Sequence, residues 1–591
     1  MSTDHDDPTE QPDASGEPAG QQDTPAQPID HPDAAAERAE RRDAALKAHH
    51  RGRRWRSRAL SAAAGLGAVA LVTGAAVVGT MLPTTVPEVD GAARPAQLAA
   101  TGLTAVCPPT PRLPEGAAEG TDAEFTPVSS SAEPAARVVM LSDLAGRFPG
   151  AQIGPVDTEE SSLRSLTEPQ PQGVQQGAPA TANEEGVPVR EASAHTLADP
   201  GGPEGAPSAA VLEPIGGQGP VASAVFGYAA EDGDLAGLAV ADCRPPAHRH
   251  WLSGATTTLG TTSVLTLVNP SASPATVDLE LYGADGPVEA PGTRGIVLAP
   301  GESSSLVLGG LAPDEEHLAV AVHASGGAVA AGIQQHRLDG VTPAGVDLIQ
   351  SGAQPSAVAV MPGVRVPQKA VRDRPPDPDA GPSVMVAAPI SSGPVTAEVT
   401  VSGPEGEVTL PELEMLSLQP GSTARVPLEG LDAGEYTVTV RASAPVLASS
   451  RGVDSMDAEL PEGDTGSPVD SALLAAAPAL GLEQLVAVPE VGPAALVLGS
   501  PDGGAVEITP VLEDGSLGQS RVQELGPSGH VRLPVRRLAE DADQDVVGLL
   551  LTSVIGQVHG GLTLRSDRGI AALPVPAQQE QAAGIPVRVR P

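Results

Sequence analysis

The residues best suited to chemistry are two cysteines and a close pair of histidines. Cys107 and Cys243 are the only cysteines in the chain of 591 residues, so its sulfur chemistry is either one disulfide or two free thiols. His248 and His250 are separated by one residue, and alternate residues of a strand share a face. A zinc site needs a third and a fourth ligand nearby, and only Asp242 offers itself. We therefore interpret both histidines as surface residues.

The motifs that accompany catalysis are not evident in the sequence. A nucleophilic hydrolase often carries a G-x-S-x-G turn between a strand and a helix, and we find none. The acidic run Asp314-Glu315-Glu316 lacks the glycine-centred spacing of a calcium loop. The sequence does not exclude a pair of carboxylates placed for glycoside hydrolysis. A sugar-binding cleft normally has aromatic side chains on which the sugar stacks, however, and the chain has only three Phe, three Tyr and two Trp. We expect no catalytic residue, no cofactor and no metal, and hence a protein that is not an enzyme.

Composition excludes one class of partner. The formal net charge of −40 opposes a general attraction to nucleic acid, which requires basic surfaces. The chain also has 67 Gly and 62 Pro, a bias that favours turns and unstructured segments over a fully folded chain. Its apolar residues are mostly Ala, Val and Leu, which suit small Val-rich strands better than aromatic-centred cores.

The strongest local signal is an apolar segment, Ala59–Leu82, without a charged residue. Its 24 residues exceed the roughly 20 that cross a bilayer as a helix, and Pro83 follows directly. Eight basic residues against one acid lie between Arg41 and Arg58. The positive-inside rule then places the N-terminus in the cytoplasm and the C-terminal region outside it. We predict an uncleaved single-pass anchor in the plasma membrane, because a cleaved signal peptide has a much shorter N-terminal region.

This topology sets expectations for the flanking segments. Residues 1–58 are acidic and then basic, and we expect a disordered cytoplasmic tail. We expect residues 59–82 to form the transmembrane helix and residues 83–100 to form a linker. The two cysteines would meet an oxidising compartment, so we expect a Cys107–Cys243 disulfide, with two buried free thiols as the alternative.

The exported part contains internal repeats. Residues 263–286 align with residues 383–406 at a constant shift of 120, and a weaker third copy follows in residues 485–568. In the first copy Val277, Leu279 and Leu281 alternate with polar residues, so we expect these three to face inward and Asp278, Glu280 and Tyr282 to face outward. Short strands with turn signals between them favour antiparallel β-sandwiches.

We therefore predict an all-β exported region of tandem Ig-like β-sandwich modules after one transmembrane helix, with a β-propeller as the alternative. Trp251 is expected to pack in a core or between domains. The expected boundaries are a membrane-proximal β domain at 101–250 with a disordered insert at about 151–205, repeats at 251–352, 383–455 and 485–568, linkers at 353–382 and 456–484, and a C-terminal tail at 569–591.

Several segments match the pattern of a known family. They are VCPP (Val106–Pro109), the stretch Ala241–Val288, APGESSSLVL, GVDLI (Gly345–Ile349) and VMPG (Val360–Gly363). Together with the basic tail and the anchor, they resemble the actinobacterial membrane-anchored family DUF5719, a domain of unknown function. The resemblance covers roughly residues 80–570 and departs where Leu252 replaces the family's usual aromatic residue. The family implies no activity, ligand or active site.

These observations predict a non-catalytic structural or interaction protein of the cell envelope. Its partners would be the bilayer, through residues 59–82, and an envelope protein or glycan that the sequence does not identify. The alternative is an accessory or polymer-binding subunit of an envelope glycosyltransferase or hydrolase system.

Overall fold

The computed structural model describes residues 100–577 with gaps at 115–126, 157–162, 169–188, 216, 369–380, 409–414, 429, 461–462 and 541–543. The expected tail at 1–58, the apolar segment at 59–82 and the linker up to residue 99 lie outside the described residues. Within the described residues, no helix is long and apolar enough to cross a membrane. All described residues belong to one compact unit.

The described chain is built from strands, as predicted. Its helical elements are two short 3-10 helices, Leu308–Gly310 and Val535–Ala539. The strand ladders are antiparallel, and short polar or glycine turns connect many of them. The strands group into four modules, which we number I to IV along the chain.

Module I spans the expected membrane-proximal domain. Its strands are β1 Leu103–Cys107, β2 Ala135–Leu141, β3 Ala151–Pro155, β4 Arg164–Thr167, β5 Ala192–Ala198, β6 Ser208–Leu212, β7 Ala222–Ala230 and β8 Gly237–Asp242. They form two sheets, β1-β6-β3-β4 and β5-β2-β7-β8, that share one core around Phe226 and Tyr228. Strands β3, β4 and β5 fall where we expected a disordered insert, so the structure differs from that expectation. Their sequences are short and rich in small or polar residues, which hides the strand pattern.

Module II contains the first repeat. Its strands are β9 Arg249–Ala255, β10 Thr261–Val268, β11 Ala275–Gly283, β12 Gly286–Val288, β13 Ile296–Leu298, β14 Ser303–Val307, β15 Leu318–Gly326, β16 Ala330–Asp339 and β17 Thr342–Ile349. The sheet β12-β11-β15-β9 (with β13 on β11) and the sheet β14-β10-β16-β17 share one core. Val277, Leu279 and Leu281 are buried and Asp278 and Glu280 are exposed, as the alternation predicts.

Module III contains the second repeat. Its strands are β18 Ser356–Val366, β19 Ser383–Ala387, β20 Val395–Gly403, β21 Gly406–Val408, β22 Leu416–Leu418, β23 Thr423–Pro427, β24 Gly434–Ser455 and β25 Val469–Ala475. The long strand β24 pairs with β18 and β20 along its first half and with β19 and β25 along its second half. Strands β20 to β23 repeat the bounds of β11 to β14 at the shift of 120, which confirms that part of the repeat alignment.

Module IV contains the third, weaker copy. Its strands are β26 Gln484–Ala487, β27 Ala494–Leu512, β28 Arg521–Pro534, β29 Val546–Gly556, β30 His559–Ser566 and β31 Gly569–Pro574. They form a single sheet, β26-β29-β27-β30-β31, with β28 also paired to β27. Long strands therefore replace the pairs of short strands seen in the first two copies.

Three strands lie where we expected linkers or a tail. Strand β18 occupies the expected linker 353–382, β25 the expected linker 456–484, and β31 the expected tail 569–591. The sequence of β18 contains Pro362 and Gly363, which suggest a turn, but they lie at a register shift inside the strand. Strands β25 and β31 are buried on both faces and therefore lack the alternation of a half-buried strand.

The four modules close into a ring through one edge strand each. Strands β8, β17, β25 and β31 end their sheets, and they contact one another in the cyclic order β8, β17, β25, β31 and back to β8. We call them the ring strands.

Each ring strand completes the core of a neighbouring module. The core of module I contains Val346 and Leu348 of β17, and the core of module II contains Leu473 of β25. The core of module III likewise takes residues from β31, and the core of module IV takes residues from β8. Since every module buries part of another, the four modules form one closed body and not a string of independent units.

Candidate ligand-binding site

One buried carboxylate joins all four ring strands. Asp470 of β25 is fully buried, and its Oδ2 accepts hydrogen bonds from the backbone N–H groups of Leu238 (2.9 Å) and Ile570 (3.0 Å). Its Oδ1 accepts from the N–H groups of Val346 (3.3 Å) and Ser471 (2.9 Å). The donors belong to β8, β31, β17 and β25 respectively. Asp470 thus fixes one end of the ring.

Three glycines make room for this carboxylate. Gly237, Gly345 and Gly569 have φ angles of +141°, +111° and +137°, and a Cβ on any of them would meet Asp470. Residues other than glycine rarely adopt such φ angles, because their Cβ atom clashes with the backbone. Glycine is therefore required on three ring strands both by the backbone conformation and by the position of the Asp470 side chain.

A second carboxylate on the next ring strand is held in the same way. Asp347 of β17 is buried and accepts hydrogen bonds from the backbone N–H groups of Leu348 (2.7 Å) and Leu473. Burial raises the pKa of Asp347 to about 8. Burial also raises the pKa of Asp470 well above its ordinary value. The negative charge of Asp347 adds to this rise, and the hydrogen bonds from backbone N–H groups oppose it. Strongly shifted carboxylates are candidates for catalysis, but these two serve as acceptors for backbone groups.

A cavity of about 970 Å³ opens at the other end of the ring. Its lining includes the residues that follow each ring strand: Cys243 and Arg244 after β8, Ser351 to Gln354 after β17, Pro478 after β25, and Pro576 and Ala577 after β31. Since one end of every ring strand lies at Asp470 and the other at this cavity, the four strands run in the same direction. We call this space the axial cavity.

The axial cavity holds an ion pair at the end of β8. Arg244 Nε lies 3.3 Å from Asp242 Oδ2, and Arg244 Nη1 donates to the carbonyl oxygen of Ser351. Burial raises the pKa of Asp242 to about 6, although Arg244 opposes the shift. Arg244 Nη2 is buried, and it has no acceptor among the residues that the structure describes. The Arg244 guanidinium therefore keeps a terminal nitrogen without a described acceptor, and that nitrogen is enclosed by protein rather than open to the cavity.

The two histidines of the sequence analysis lie in different environments. His248 is exposed, as expected, but His250 is buried and bonded by Nε2 to the carbonyl oxygen of Val329 (2.8 Å) and by Nδ1 to Ser351 Oγ (3.1 Å). His250 is therefore not a surface residue: strand β9 turns it inward beside the axial cavity. In the described part of the chain, no group of three or more His, Cys, Asp or Glu side chains could hold a metal ion.

The two cysteines are joined, as the sequence analysis expected. The disulfide links Cys107 at the end of β1 to Cys243 just after β8, across a separation of 136 residues. Next to it, Val106 and Arg244 exchange two backbone hydrogen bonds. The disulfide therefore holds the two sheets of module I together and fixes the backbone that carries Arg244.

Trp251 packs between modules, as predicted. It is buried with Tyr282 of module II and with Met385 and Leu447 of module III. The Trp251 and Tyr282 ring centroids are 6.3 Å apart. Tyr282 points away from the core of module II, as the alternation predicts, but it is buried by this contact rather than exposed to solvent.

Sequence reasoning did not find the central residues of the ring or of the axial cavity. A signal for the ring was present: Val346-Asp347 and Val469-Asp470 are the same dipeptide on successive ring strands. For Arg244 there was no such signal, because its role depends on the ends of four strands that are distant in sequence.

Comparison with known proteins agrees with the resemblance. No curated protein matches the sequence. The chain does match the family described as "Family of unknown function (DUF5719)" over residues 201–536, which run from module I into module IV. This match covers more than half of the 591 residues, although it is shorter than the stretch of resemblance described above. The chain therefore belongs to the DUF5719 family.

Proposed function

We propose that this protein is a non-catalytic component of the cell envelope, anchored by one transmembrane helix at residues 59–82, that presents a closed four-module β body outside the cytoplasm. The observation that carries the proposal is the ring, in which Asp470, whose pKa is raised by burial, accepts hydrogen bonds from four backbone N–H groups. A group used in this way stabilises a rigid scaffold and is not free to transfer protons.

The architecture of the body fits an interaction role. We propose that the two-sheet modules are Ig-like sandwiches, joined as the blades of a four-bladed propeller are joined. Ring strands β8 and β17 each end a four-stranded sheet, and propellers place four-stranded sheets around a central channel. The axial cavity lies at the end of the four ring strands, where the central channel of a propeller would open.

The contacts of potential nucleophiles also support a non-catalytic role. Ser193 Oγ lies 2.9 Å from His195 Nε2, but both residues are on the edge strand β5. A catalytic serine and histidine need a third group that orients the histidine. Within the described residues, no carboxylate is bonded to His195.

Export is supported by the disulfide and by the basic residues before the apolar segment. Disulfides persist in oxidising compartments, and the Cys107–Cys243 bond lies well after the proposed anchor. We expect a reporter active only in the cytoplasm to give signal when fused to the N-terminus and none when fused to the C-terminus. Strong signal from the C-terminal fusion would contradict the proposed topology.

The second candidate function is an accessory or polymer-binding subunit of an envelope glycosyltransferase or hydrolase system. The observation that favours it is the axial cavity, because a purely structural protein has no need of a large pre-formed site. Crosslinking of intact membranes followed by purification of the full-length chain distinguishes the two. Recurrent capture of envelope-assembly enzymes would favour the accessory role, and their absence from the captured material would favour the first proposal.

A further inference from the structure

We propose that the end of the body that carries the axial cavity docks on the surface of a lipid bilayer, and that an apolar rim beside the cavity inserts among the lipid headgroups. The apolar rim consists of four exposed side chains: Leu144, Leu482, Val554 and Ile555. This inference rests on the proposed membrane anchor and deepens it, because it assigns a second, reversible contact with the same bilayer. Flotation with vesicles measures the anchor and fluorescence quenching measures the docking, so failure of one is distinguishable from failure of the other.

The apolar rim presents large apolar side chains to solvent. Leu482 is 74% exposed and Ile555 is 67% exposed, and Leu144 and Val554 are each 56% exposed. Val554 lies at a register shift between β27 and β29 and has no opposite residue on β27. Such a bulge re-aims the side chains of the bulged strand, and here two successive residues of β29 face solvent. A contiguous exposed apolar surface of this kind is typical of an interaction site with a protein or a membrane.

Three residues of the apolar rim lie in module IV beside the axial cavity. Leu482 directly precedes Glu483, which lines the cavity. Strand β29 continues past the cavity here, since the N–H of Ser553 donates to the carbonyl oxygen of Gly481 (2.8 Å). The two rim residues of β29 follow Ser553 directly, so they lie next to Leu482.

The fourth residue, Leu144, extends the apolar rim onto module I. It lies in the loop after β2, where the N–H of Ser142 donates to the carbonyl oxygen of Glu191 (2.8 Å). The preceding residue, Arg190, lines the cavity and pairs with Glu483 at 2.7 Å. The apolar rim therefore crosses the junction of modules I and IV at one end of the body.

The chain enters the body at the same end. Leu103 begins β1, the first strand of the described chain, and it lines the axial cavity. Residues 83–102 separate it from the proposed transmembrane helix, and a fully extended chain of this length spans about 70 Å. Attachment to the bilayer through such a tether gives the body an effective concentration on the order of 1 mM at the membrane surface. A weak contact through four side chains is sufficient for docking under these conditions.

The opposite end of the body is unsuited to a bilayer because it is acidic. Near Gly569, which contacts Asp470, five carboxylate side chains are exposed: Glu133, Glu231, Asp457, Glu459 and Asp567. Backbone hydrogen bonds group them, since Asp457 N–H donates to the carbonyl oxygen of Asp567 and Glu459 N–H donates to that of Glu231 (2.6 Å each). Arg568 pairs with Glu133 at 2.6 Å and leaves most of this negative charge unbalanced.

The cavity end has the more favourable charge. The lining of the axial cavity contains three arginines and two carboxylates, and one of the arginines, Arg249, is exposed. Anionic headgroups attract basic groups near the surface and repel acidic ones. A chain with a net charge of −40 therefore approaches an anionic bilayer most favourably by its cavity end.

Two apolar residues at the opposite end provide controls. Leu259 is 94% exposed and Val341 is 57% exposed. Val341 directly precedes β17, whose Gly345 contacts Asp470. Leu259 lies close to this turn, because the next residue, Gly260, accepts a hydrogen bond from Leu338 N–H (2.8 Å) and Leu338 is opposite Pro343 of β17.

The test is fluorescence of the full-length chain reconstituted in vesicles of phosphatidylcholine and phosphatidylglycerol. Both cysteines of the chain are in the disulfide, so an introduced cysteine is the only free thiol. Dye-labelled Ile555→Cys reports on the apolar rim, and dye-labelled Leu259→Cys reports on the opposite end. With nitroxide groups on the lipids near the headgroups, we expect the label of Ile555→Cys to be quenched at least about fivefold more strongly than that of Leu259→Cys, because the side chains of a docked surface reach the headgroup region.

Each outcome decides between docking, its absence and failure of the anchor. Equal quenching of the two labels, or stronger quenching of the Leu259→Cys label, would overturn the docking of the cavity end. A chain that floats with the vesicles but shows no quenching of the Ile555→Cys label would overturn the docking and leave the anchor intact. A chain that does not float would overturn the anchor and the docking together.

A pair of matched substitutions locates the contact. Val554→Asp and Val341→Asp change valines of nearly equal exposure at the two ends of the body, and each is combined with a dye-labelled Leu144→Cys in module I. We expect Val554→Asp to lower the quenching of this label at least about twofold, because a charged side chain resists insertion into the bilayer. Val341→Asp should leave the quenching unchanged. Equal quenching in the two variants would overturn the assignment of the apolar rim.

Discussion

Replacement of Asp470 by alanine is expected to lower the free energy of unfolding by about 4 kcal/mol or more. The change removes the acceptor of four backbone N–H groups, one from each ring strand; those of Leu238, Val346 and Ile570 are buried, and that of Ser471 is half-buried. Each buried donor that loses its acceptor costs about 1–3 kcal/mol. Since the four donors lie on four modules, the loss should weaken the whole body and not only module III.

Urea unfolding of the full-length chain, followed by circular dichroism, measures the effect. The matched control is Asp502→Ala, an exposed aspartate that pairs with Arg441, and it should cost no more than about 1 kcal/mol. Asp470→Asn keeps the size of the side chain and one acceptor oxygen, so its effect should fall between the two. A loss for Asp470→Ala no larger than that of the control would show that the ring does not depend on this carboxylate.

Removal of the disulfide is the second change with a large expected effect. On the chain-entropy argument, a crosslink across 136 residues stabilises the folded state by about 4–5 kcal/mol. We therefore expect the double variant Cys107→Ala/Cys243→Ala to unfold at much lower urea concentration than the native chain.

The reduced native chain is the control for this prediction. Treatment with a thiol reductant should lower stability by the same amount as the double substitution, because both release the same crosslink. Mass spectrometry without reductant should find one peptide that joins the segments around Cys107 and Cys243. A difference in stability below about 1 kcal/mol, or full alkylation of both thiols without reductant, would contradict the prediction.

The sequence was sufficient for the features that follow from local patterns. The alternation of Val277, Leu279 and Leu281 predicted the correct inward face, and the predicted alignment at a shift of 120 relates strands β11 to β14 to strands β20 to β23. These features depend on residues close together in the chain, so one segment contains the whole signal. The pairing of the two cysteines was predictable because only one pairing within the chain was possible.

The closed ring was not predictable in the same way. Each of the strands β25 and β31 buries one face in the core of its own module and the other face in the core of a neighbouring module. Because both faces are buried, the alternation of apolar and polar residues on which strand prediction relies is absent. We therefore assigned them to a linker and a tail. Asp470 was missed for a related reason. Three of its four hydrogen-bond donors lie on other strands, and Ser471 is the only donor close to it in sequence.

The closed ring is the central claim, and hydrogen exchange of the native chain tests it most directly. In a closed body, the backbone amides of β8, β17, β25 and β31 are released only by global unfolding, so they should exchange with one common opening free energy. Added urea should lower that free energy equally for all four strands. Ring strands that open one after another, each at its own urea concentration, would mean that the modules unfold independently and that the ring does not unite them.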